Sequence, residues 1–177
     1  MKILVLAGSP NKCGTSNTLI AAFKKGAEEA GHIVEIFDCA KANIHPCLGC
    51  GACHMHSDCV QKDDGNILVA KVLESDVVVF ATPVYYFGMS AQLKMAIDRF
   101  YCRNGAITRK NLKSILIATA WNPDEEVMSA LVKHFDKIFD YLHMQKMGQL
   151  LGLDSGLDET MPKEHITAAY NLGKSLS

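Results

Sequence analysis

Apolar residues along this chain fall into two patterns. Unbroken short runs stand at 3–7 (Ile-Leu-Val-Leu-Ala) and 76–81 (Asp-Val-Val-Val-Phe-Ala), the form expected of parallel strands buried on both faces. Further strands are expected over 32–37 and 113–119, with a weaker fifth over 146–151, where Gly148 interrupts the pattern. Elsewhere apolar positions recur at helical spacing. Leu19, Ile20, Phe23 and Ala27 mark a helix over 18–30 that stops at Gly31. Leu93, Met95, Ala96, Ile97 and Phe100 mark another over 90–100, with Ser90 as its N-cap. Shorter or longer helices are expected over 66–74, 124–143 and 162–176, the first capped by the Asp63-Asp64 pair. Strand and helix alternate with no internal repeat and no low-complexity linker. This predicts a doubly wound α/β fold, a single domain over 1–177.

In such sheets ligands bind beyond the carboxyl ends of the strands, where strand order reverses. Three loops should converge there: 8–16, 83–88 and 120–124. The first, Gly-Ser-Pro-Asn-Lys-Cys-Gly-Thr-Ser, hands a buried strand to a helix start and is followed by Asn17. It offers backbone N–H groups, hydroxyls and a positive helix end, which suits an anion, foremost a phosphate. Walker A spacing is excluded, because five residues separate Gly8 from Gly14 and Thr15 follows directly. The dinucleotide fingerprint is excluded as well, since Pro10 stands at its second glycine. What remains is a hydroxyl-type anion loop, or a plain turn with Ser16 as a helix cap.

Charge and composition narrow the partners. A formal net charge of -1 with no basic run lacks the footprint of nucleic-acid or anionic-membrane binding. With no signal-like start and no apolar stretch of spanning length, a cytoplasmic protein is expected. Of seven cysteines, Cys13, Cys39 and Cys102 are scattered and read as inert. The other four, Cys47, Cys50, Cys53 and Cys59, crowd into 39–65, a segment without either period and longer than most connections in compact domains. In a reducing compartment such thiols are better read as ligands or redox groups than as a disulfide frame.

The second loop gives the anion a partner. Pro83, Val84, Tyr85, Tyr86, Phe87 and Gly88 follow a strand end, and three successive aromatics cannot all be core. They suit a flat ring, or else a subunit contact. Trp121 stands in the third loop. A phosphate site, an aromatic shelf and a third converging loop together describe a mononucleotide with a planar head, which fits FMN.

Gly8-Ser9-Pro10 with Gly14-Thr15-Ser16 and Leu19, then Pro83-Val84-Tyr85-Tyr86 leading into Gln92-Leu93-Lys94 and Asp98-Arg99, resembles the flavodoxin-like NADPH-dependent FMN reductase family, nearest its iron-sulfur flavoprotein branch. The resemblance covers nearly the whole chain. It implies a flavodoxin-like three-layer sandwich with a five-stranded parallel sheet, and bound FMN. By that similarity Ser9, Asn11, Thr15 and Ser16, with Asn17 beside them, hold the phosphate. Pro83, Val84, Tyr85, Tyr86, Phe87, Gly88, Thr119, Ala120 and Trp121 border the ring. The chain departs from the family in carrying Asn11 where Arg is frequent and Thr15-Ser16 where Asn-Thr is frequent.

The spacing C-x2-C-x2-C-x5-C of Cys47, Cys50, Cys53 and Cys59 resembles the compact motif that holds a [4Fe-4S] cluster in iron-sulfur flavoproteins. Tetrahedral zinc and a metal-free redox thiol loop are the alternatives. His54 and His56 read as solvated, and Asp98 and Arg99 as ion-pair residues. The implied activity is an FMN-dependent oxidoreductase that moves electrons between NAD(P)H or an electron carrier and a small-molecule or protein acceptor. Hydride reaches a flavin without an acid or base, so no side chain is assigned as catalytic. The other readings are a metal-binding or thiol-sensing module and a cluster-free quinone or nitro-compound reductase. Homodimers or homotetramers are implied by the same resemblance.

Overall fold

The computed structural model describes residues 1–157 and 160–176. Five strands form one parallel sheet: β1 (Lys2–Ala7), β2 (Ile33–Asp38), β3 (Val77–Pro83), β4 (Lys113–Thr119) and β5 (Gln145–Gly152), in the order β2-β1-β3-β4-β5. This is the flavodoxin-like order, with its reversal between β1 and β3. The helices are α1 (Thr15–Glu29), α2 (Asp64–Glu74), α3 (Ala91–Asp98), α4 (Asn104–Arg109), α5 (Glu126–Tyr141) and α6 (Lys163–Lys174), with a 3-10 turn at Arg99–Arg103 between α3 and α4. Among the described residues, no helix is long and apolar enough to cross a membrane.

The unbroken apolar runs are explained by burial on both faces. Ile3, Val5, Ala7, Val77, Val79, Ala81, Ile115 and Ile117 point to α1 and α6. Leu4, Leu6, Val78, Phe80, Leu116 and Ala118 point to the opposite layer, where Phe80 meets the rings of Phe135 and Phe139 at 5.5 and 5.4 Å. Helix α6 packs closely on α1: a Cβ at Gly26 would lie 2.0 Å from the Tyr170 carbonyl oxygen, and one at Gly173 would lie 2.2 Å from that of Phe23. The same helix accounts for Gly148. A Cβ there would stand 2.9 Å from Leu172 Cδ1, so the residue that weakens the β5 pattern is the one that lets α6 approach.

Most element ends fall within two residues of the sequence pattern, and two departures are larger. Helix α1 starts at Thr15, three residues before its first expected position, because the hydroxyl residues that read as loop form its first turn. The cap is Gly14, not Ser16, and no side chain caps this end. The connection between α3 and β4 contains the 3-10 turn and α4, which the pattern missed because α4 is only six residues long and mostly polar.

Candidate functional site

Loops after β1, β3 and β4 leave the same edge of the sheet, and four short contacts tie them together. Gly8 N donates to the Ala81 carbonyl at 2.8 Å across the β1/β3 reversal, and Ser90 Oγ donates to the Gly8 carbonyl at 2.6 Å. Ser16 Oγ and Thr119 Oγ1 share a buried hydrogen bond of 2.6 Å, and Val84 N donates to the Thr119 carbonyl at 2.7 Å. Gly8 is fixed by close approach, since a Cβ there would stand 2.8 Å from Leu93 Cβ and 2.9 Å from Ser90 Oγ.

Residues 9–17 close on themselves. Asn11 takes the Cys13 N–H on its side-chain oxygen at 3.1 Å, and its carbonyl accepts from Gly14 N and from the Asn17 amide at 2.7 Å. Asn17 also donates to the Lys12 carbonyl, so its side chain braces the loop. Ser16 spends its hydroxyl on Thr119 at 2.6 Å, Ser9 Oγ donates more weakly to the Asn11 carbonyl at 3.3 Å, and Ser9 and Thr15 are both buried. Thr15 and Ser16 occupy the first turn of α1, where backbone N–H groups have no carbonyl one turn back. With Gly14 as the cap, the end that usually receives a side-chain oxygen receives none, and an anion can take that place.

The aromatic shelf is a two-residue hairpin. Tyr85 and Gly88 exchange both backbone hydrogen bonds at 3.0 Å, and Tyr86 and Phe87 between them sit at φ +48° and +64°. That is a type I′ turn, ordinarily built from Asn and Gly, here made by two bulky aromatics in the left-handed region. Tyr86 is fully exposed and Tyr85 and Phe87 are largely so. Strain of this kind collects at functional positions. Trp121 is exposed as well, its indole lying over Gly156, where a Cβ would be 2.7 Å from Cγ.

Sequence reasoning missed the loop after β5. Ser155 N donates to the Ala120 carbonyl at 2.8 Å, and Ala120 N donates to the Gly152 carbonyl at 2.9 Å. The 152–156 segment therefore holds Ala120 and supports Trp121. Its signal was weak because Gly148 hid the strand that leads to it.

The four clustered cysteines line one cavity at the far end of α3, together with Arg99, Tyr101 and Cys102. Cys53 is buried, Cys59 half-buried, and Cys47 and Cys50 lie on the exposed wall. His54 and His56 are exposed and take no part in the lining. Cys102, which looked isolated in sequence, is brought in by the 3-10 turn. Burial, with the charges of Cys53 and Cys59 adding to it, pushes its thiol up to about 11. Cys39 is isolated: burial and the Asp38 charge push it up to about 12. A second cavity, of about 390 Å³, lies against the same wall and shares Cys47, Gly49, Asp98 and Tyr101.

Beside the cysteines, Arg99 and Asp63 form an ion pair at 2.7 Å, each side chain 1% exposed. Asp63 Oδ1 also caps α2 by accepting from Gly65 N at 3.0 Å, and Oδ2 accepts from His45 N at 2.9 Å. Burial opposes its charge, but the Arg99 hydrogen bond and these N–H groups prevail and hold the carboxyl well below the usual range. Burial likewise disfavours the guanidinium, and the Asp63 partner outweighs it and raises its pKa.

Four thiols on one enclosed cavity, two of them sheltered, match the donor chemistry of an iron-sulfur cluster in kind and number. As placed, the walls leave about 20 Å³, so seating a cluster requires the exposed 47–51 wall to move outward. Gly49 and Gly51, at φ +62° and +71° with no atom within 4 Å of an added Cβ, give it room to do so. Among the described residues, no three His, Cys, Asp or Glu side chains are gathered as the ligand set of a metal ion. Tetrahedral zinc would need sulfurs about 3.8 Å apart, from a Zn–S distance of about 2.3 Å.

Comparison with known proteins identifies the family. The family model described as NADPH-dependent FMN reductase matches residues 1–158. An iron-sulfur flavoprotein of Archaeoglobus fulgidus is 37% identical over 129 residues, covering 72% of this chain and 59% of that protein. An iron-sulfur flavoprotein of Methanocaldococcus jannaschii is 34% identical over 99 residues, covering 56% of this chain and 51% of its own length. The chain thus spans little more than half the length of these curated relatives. Among solved structures, an NAD(P)H:quinone oxidoreductase from Methanothermobacter marburgensis superposes with a TM-score of 0.82 at 17% identity, over 100% of this chain and 96% of that one. An FMN-dependent NADH-azoreductase from Bacillus anthracis, in complex with FMN, gives 0.71 at 12% identity, over 98% and 95%. At these identities the structural matches establish the flavodoxin-like fold.

Proposed function

The chain belongs to the NADPH-dependent FMN reductase family, and from that premise we propose that it is an oxidoreductase that binds FMN at the three converging loops. One observation carries the reading. An uncapped helix end and a strained, exposed aromatic turn face the same β1/β3 reversal, which supplies an anion site and a ring site at once. The first-turn N–H groups of Thr15 and Ser16, with the hydroxyls of Ser9 and Thr15, are the donors for the phosphate. Asn11 and Asn17 keep that loop in shape through the Asn11 carbonyl. Tyr85, Tyr86, Phe87 and Trp121 present ring faces, and the Tyr86 and Phe87 turn exposes main-chain groups to a ring edge. Pro83, Val84, Gly88, Thr119 and Ala120 set the backbone beneath them.

Bound FMN supplies hydride acceptance from NAD(P)H and onward electron transfer. The side chains fix the ring and exclude water from one of its faces. Cys47, Cys50, Cys53 and Cys59 are the proposed ligands of a [4Fe-4S] cluster, which the relatives' names support and the enclosed four-thiol cavity makes chemically reasonable. The acceptor reaches the protein from solvent as a small molecule or a carrier protein. Exposed Tyr86, Phe87 and Trp121 support a further proposal, that a second copy covers the shelf in a homodimer or a larger homo-oligomer.

Anaerobic purification and reconstitution test the reading, with a visible spectrum and with iron, sulfide and zinc analysis. Flavin bands with broad iron-sulfur absorption and about four irons per chain are expected. Flavin without iron leaves a cluster-free reductase, and zinc in place of iron removes the cluster. A protein that takes up no FMN refutes the proposal.

A further inference from the structure

Arg99 carries more positive donors than its partner can use. Nη1 donates to Asp63 Oδ2 at 2.7 Å and to the His45 carbonyl at 3.1 Å. Nε and Nη2 are buried with no hydrogen-bond partner, and with Ser114 Oγ they are the only such side-chain atoms among the described residues. Asp63 does not satisfy them: its Oδ2 takes Arg99 Nη1, His45 N and the His45 ring, its Oδ1 takes Gly65 N, and neither oxygen is a partner of Nε or Nη2. Nor can the guanidinium turn toward water. Gly65 lies against its face, where a Cβ would stand 2.6 Å from Cζ, and the side chain is 1% exposed. Native structures seldom leave a buried charged donor unpaired, since the lost hydration is not recovered.

Arg99 lines the cavity of Cys47, Cys50, Cys53 and Cys59, and the Cys59 thiol lies close enough to act on its charge. We propose that the two unpartnered N–H groups of Arg99 donate to sulfur of the thiolate-bound cluster, making Arg99 the residue that sets the cluster's charge balance and reduction potential. This rests on the cluster reading above. Four thiolates around a [4Fe-4S]2+ core carry a net charge of about −2, which becomes −3 when one electron enters, and a fixed cation with two donors favours the more negative state. The guanidinium is therefore a positioning residue that raises the potential. It takes up no electron and no proton.

The experiment is an anaerobic redox titration of the reconstituted protein with dithionite as the one-electron donor, followed by electron paramagnetic resonance. Iron and sulfide are assayed on the same samples. Two variants are compared with the parent. Arg99→Lys keeps the charge but loses the fork, and the double variant Asp63→Asn/Arg99→Met removes both charges and so leaves no lone buried ion. The parent should hold about four irons and four sulfides. Because the double variant removes no net charge, its midpoint reports the two lost N–H donors and should fall by about 59 mV, a tenfold shift in the one-electron equilibrium, with Arg99→Lys in between. Where the double variant no longer keeps iron, the Arg99→Lys midpoint decides, and a value equal to the parent's overturns the assignment. Midpoints equal to the parent's at full iron content overturn it and leave the cluster reading intact. A parent that holds no iron and sulfide overturns both.

Discussion

Replacing Tyr86 with Asn and Phe87 with Gly should make this protein more stable and worse at holding its flavin. Both residues sit in the left-handed region, at φ +48° and +64°, where an ordinary L-residue costs about 1–2 kcal/mol. Asn-Gly is the pair that a type I′ turn favours, and the exchanged hydrogen bonds of Tyr85 and Gly88 do not involve the replaced side chains. Relief at both positions is about 2 kcal/mol. Tyr86, fully exposed, gives up no burial, while Phe87 at 61% exposure gives up about 1 kcal/mol. The net gain of about 1 kcal/mol corresponds to a rise in Tm of about 2–4 °C for a chain of this size. Against that, two aromatic faces leave the shelf, and stacking on an aromatic side chain is worth about 1–3 kcal/mol per ring. FMN affinity should then fall about tenfold or more.

Thermal unfolding of flavin-free protein, followed by circular dichroism, measures the first effect, and quenching of FMN fluorescence on titration measures the second. A lower Tm would mean that the tip is not strained or that Phe87 packs more than its exposure indicates. An unchanged FMN dissociation constant would remove the aromatic turn from the binding site.

Other consequences follow from single contacts. The depressed carboxyl of Asp63 stabilises the fold above the ordinary Asp pKa of about 3.9, and that stability is lost as pH falls below it toward the folded value. Urea unfolding from pH 7 to 3 should show the decline, and Asp63→Asn, less stable at pH 7, should show a shallower one; equal slopes would exclude Asp63 as its source. Breaking the 2.6 Å Ser16–Thr119 bond with Ser16→Ala or Thr119→Val should cost about 1–2 kcal/mol each, while the double variant costs clearly less than their sum. Strict additivity in urea denaturation would mean that the two hydroxyls do not depend on each other.

The sheet was legible because strands buried on both faces leave apolar runs, and β1, β3 and β4 are of that kind. The two motifs were legible because loop chemistry is local: Gly8 to Ser16 and the four cysteines announce themselves by residue type and spacing. Residues recruited across the fold were not. Cys102 enters the cysteine cavity on a 3-10 turn with no period of its own, and the Arg99–Asp63 pair joins positions 36 apart in sequence. Ser155 reaches Ala120 from beyond a strand whose glycine obscures it. Likewise Ser16 reads as a helix cap until the fold sets its hydroxyl against Thr119, leaving Gly14 to begin the helix.

Helix α3 joins the two candidate sites, and its N-terminal end offers a way to separate them. At that end Ser90 accepts from Leu93 N at 3.3 Å and donates to the Gly8 carbonyl at 2.6 Å, so one hydroxyl caps the helix and pins the first loop. Eight residues on, about 12 Å along the axis, Asp98 gives way to Arg99 and the cysteine cavity. Ser90→Ala removes the cap and leaves the buried Gly8 carbonyl without that donor, at a combined cost of about 1–3 kcal/mol. The damage should be graded by distance. Loop 8–16 loses its anchor directly, whereas the guanidinium is held by Asp63, His45 and Gly65 independently of Ser90. In reconstituted Ser90→Ala, FMN affinity should fall several-fold while iron and sulfide per chain stay at the parent's level. Equal losses of flavin and iron would show instead that α3 moves as one rigid strut, and that the flavin loops and the cysteine cavity are mechanically a single site.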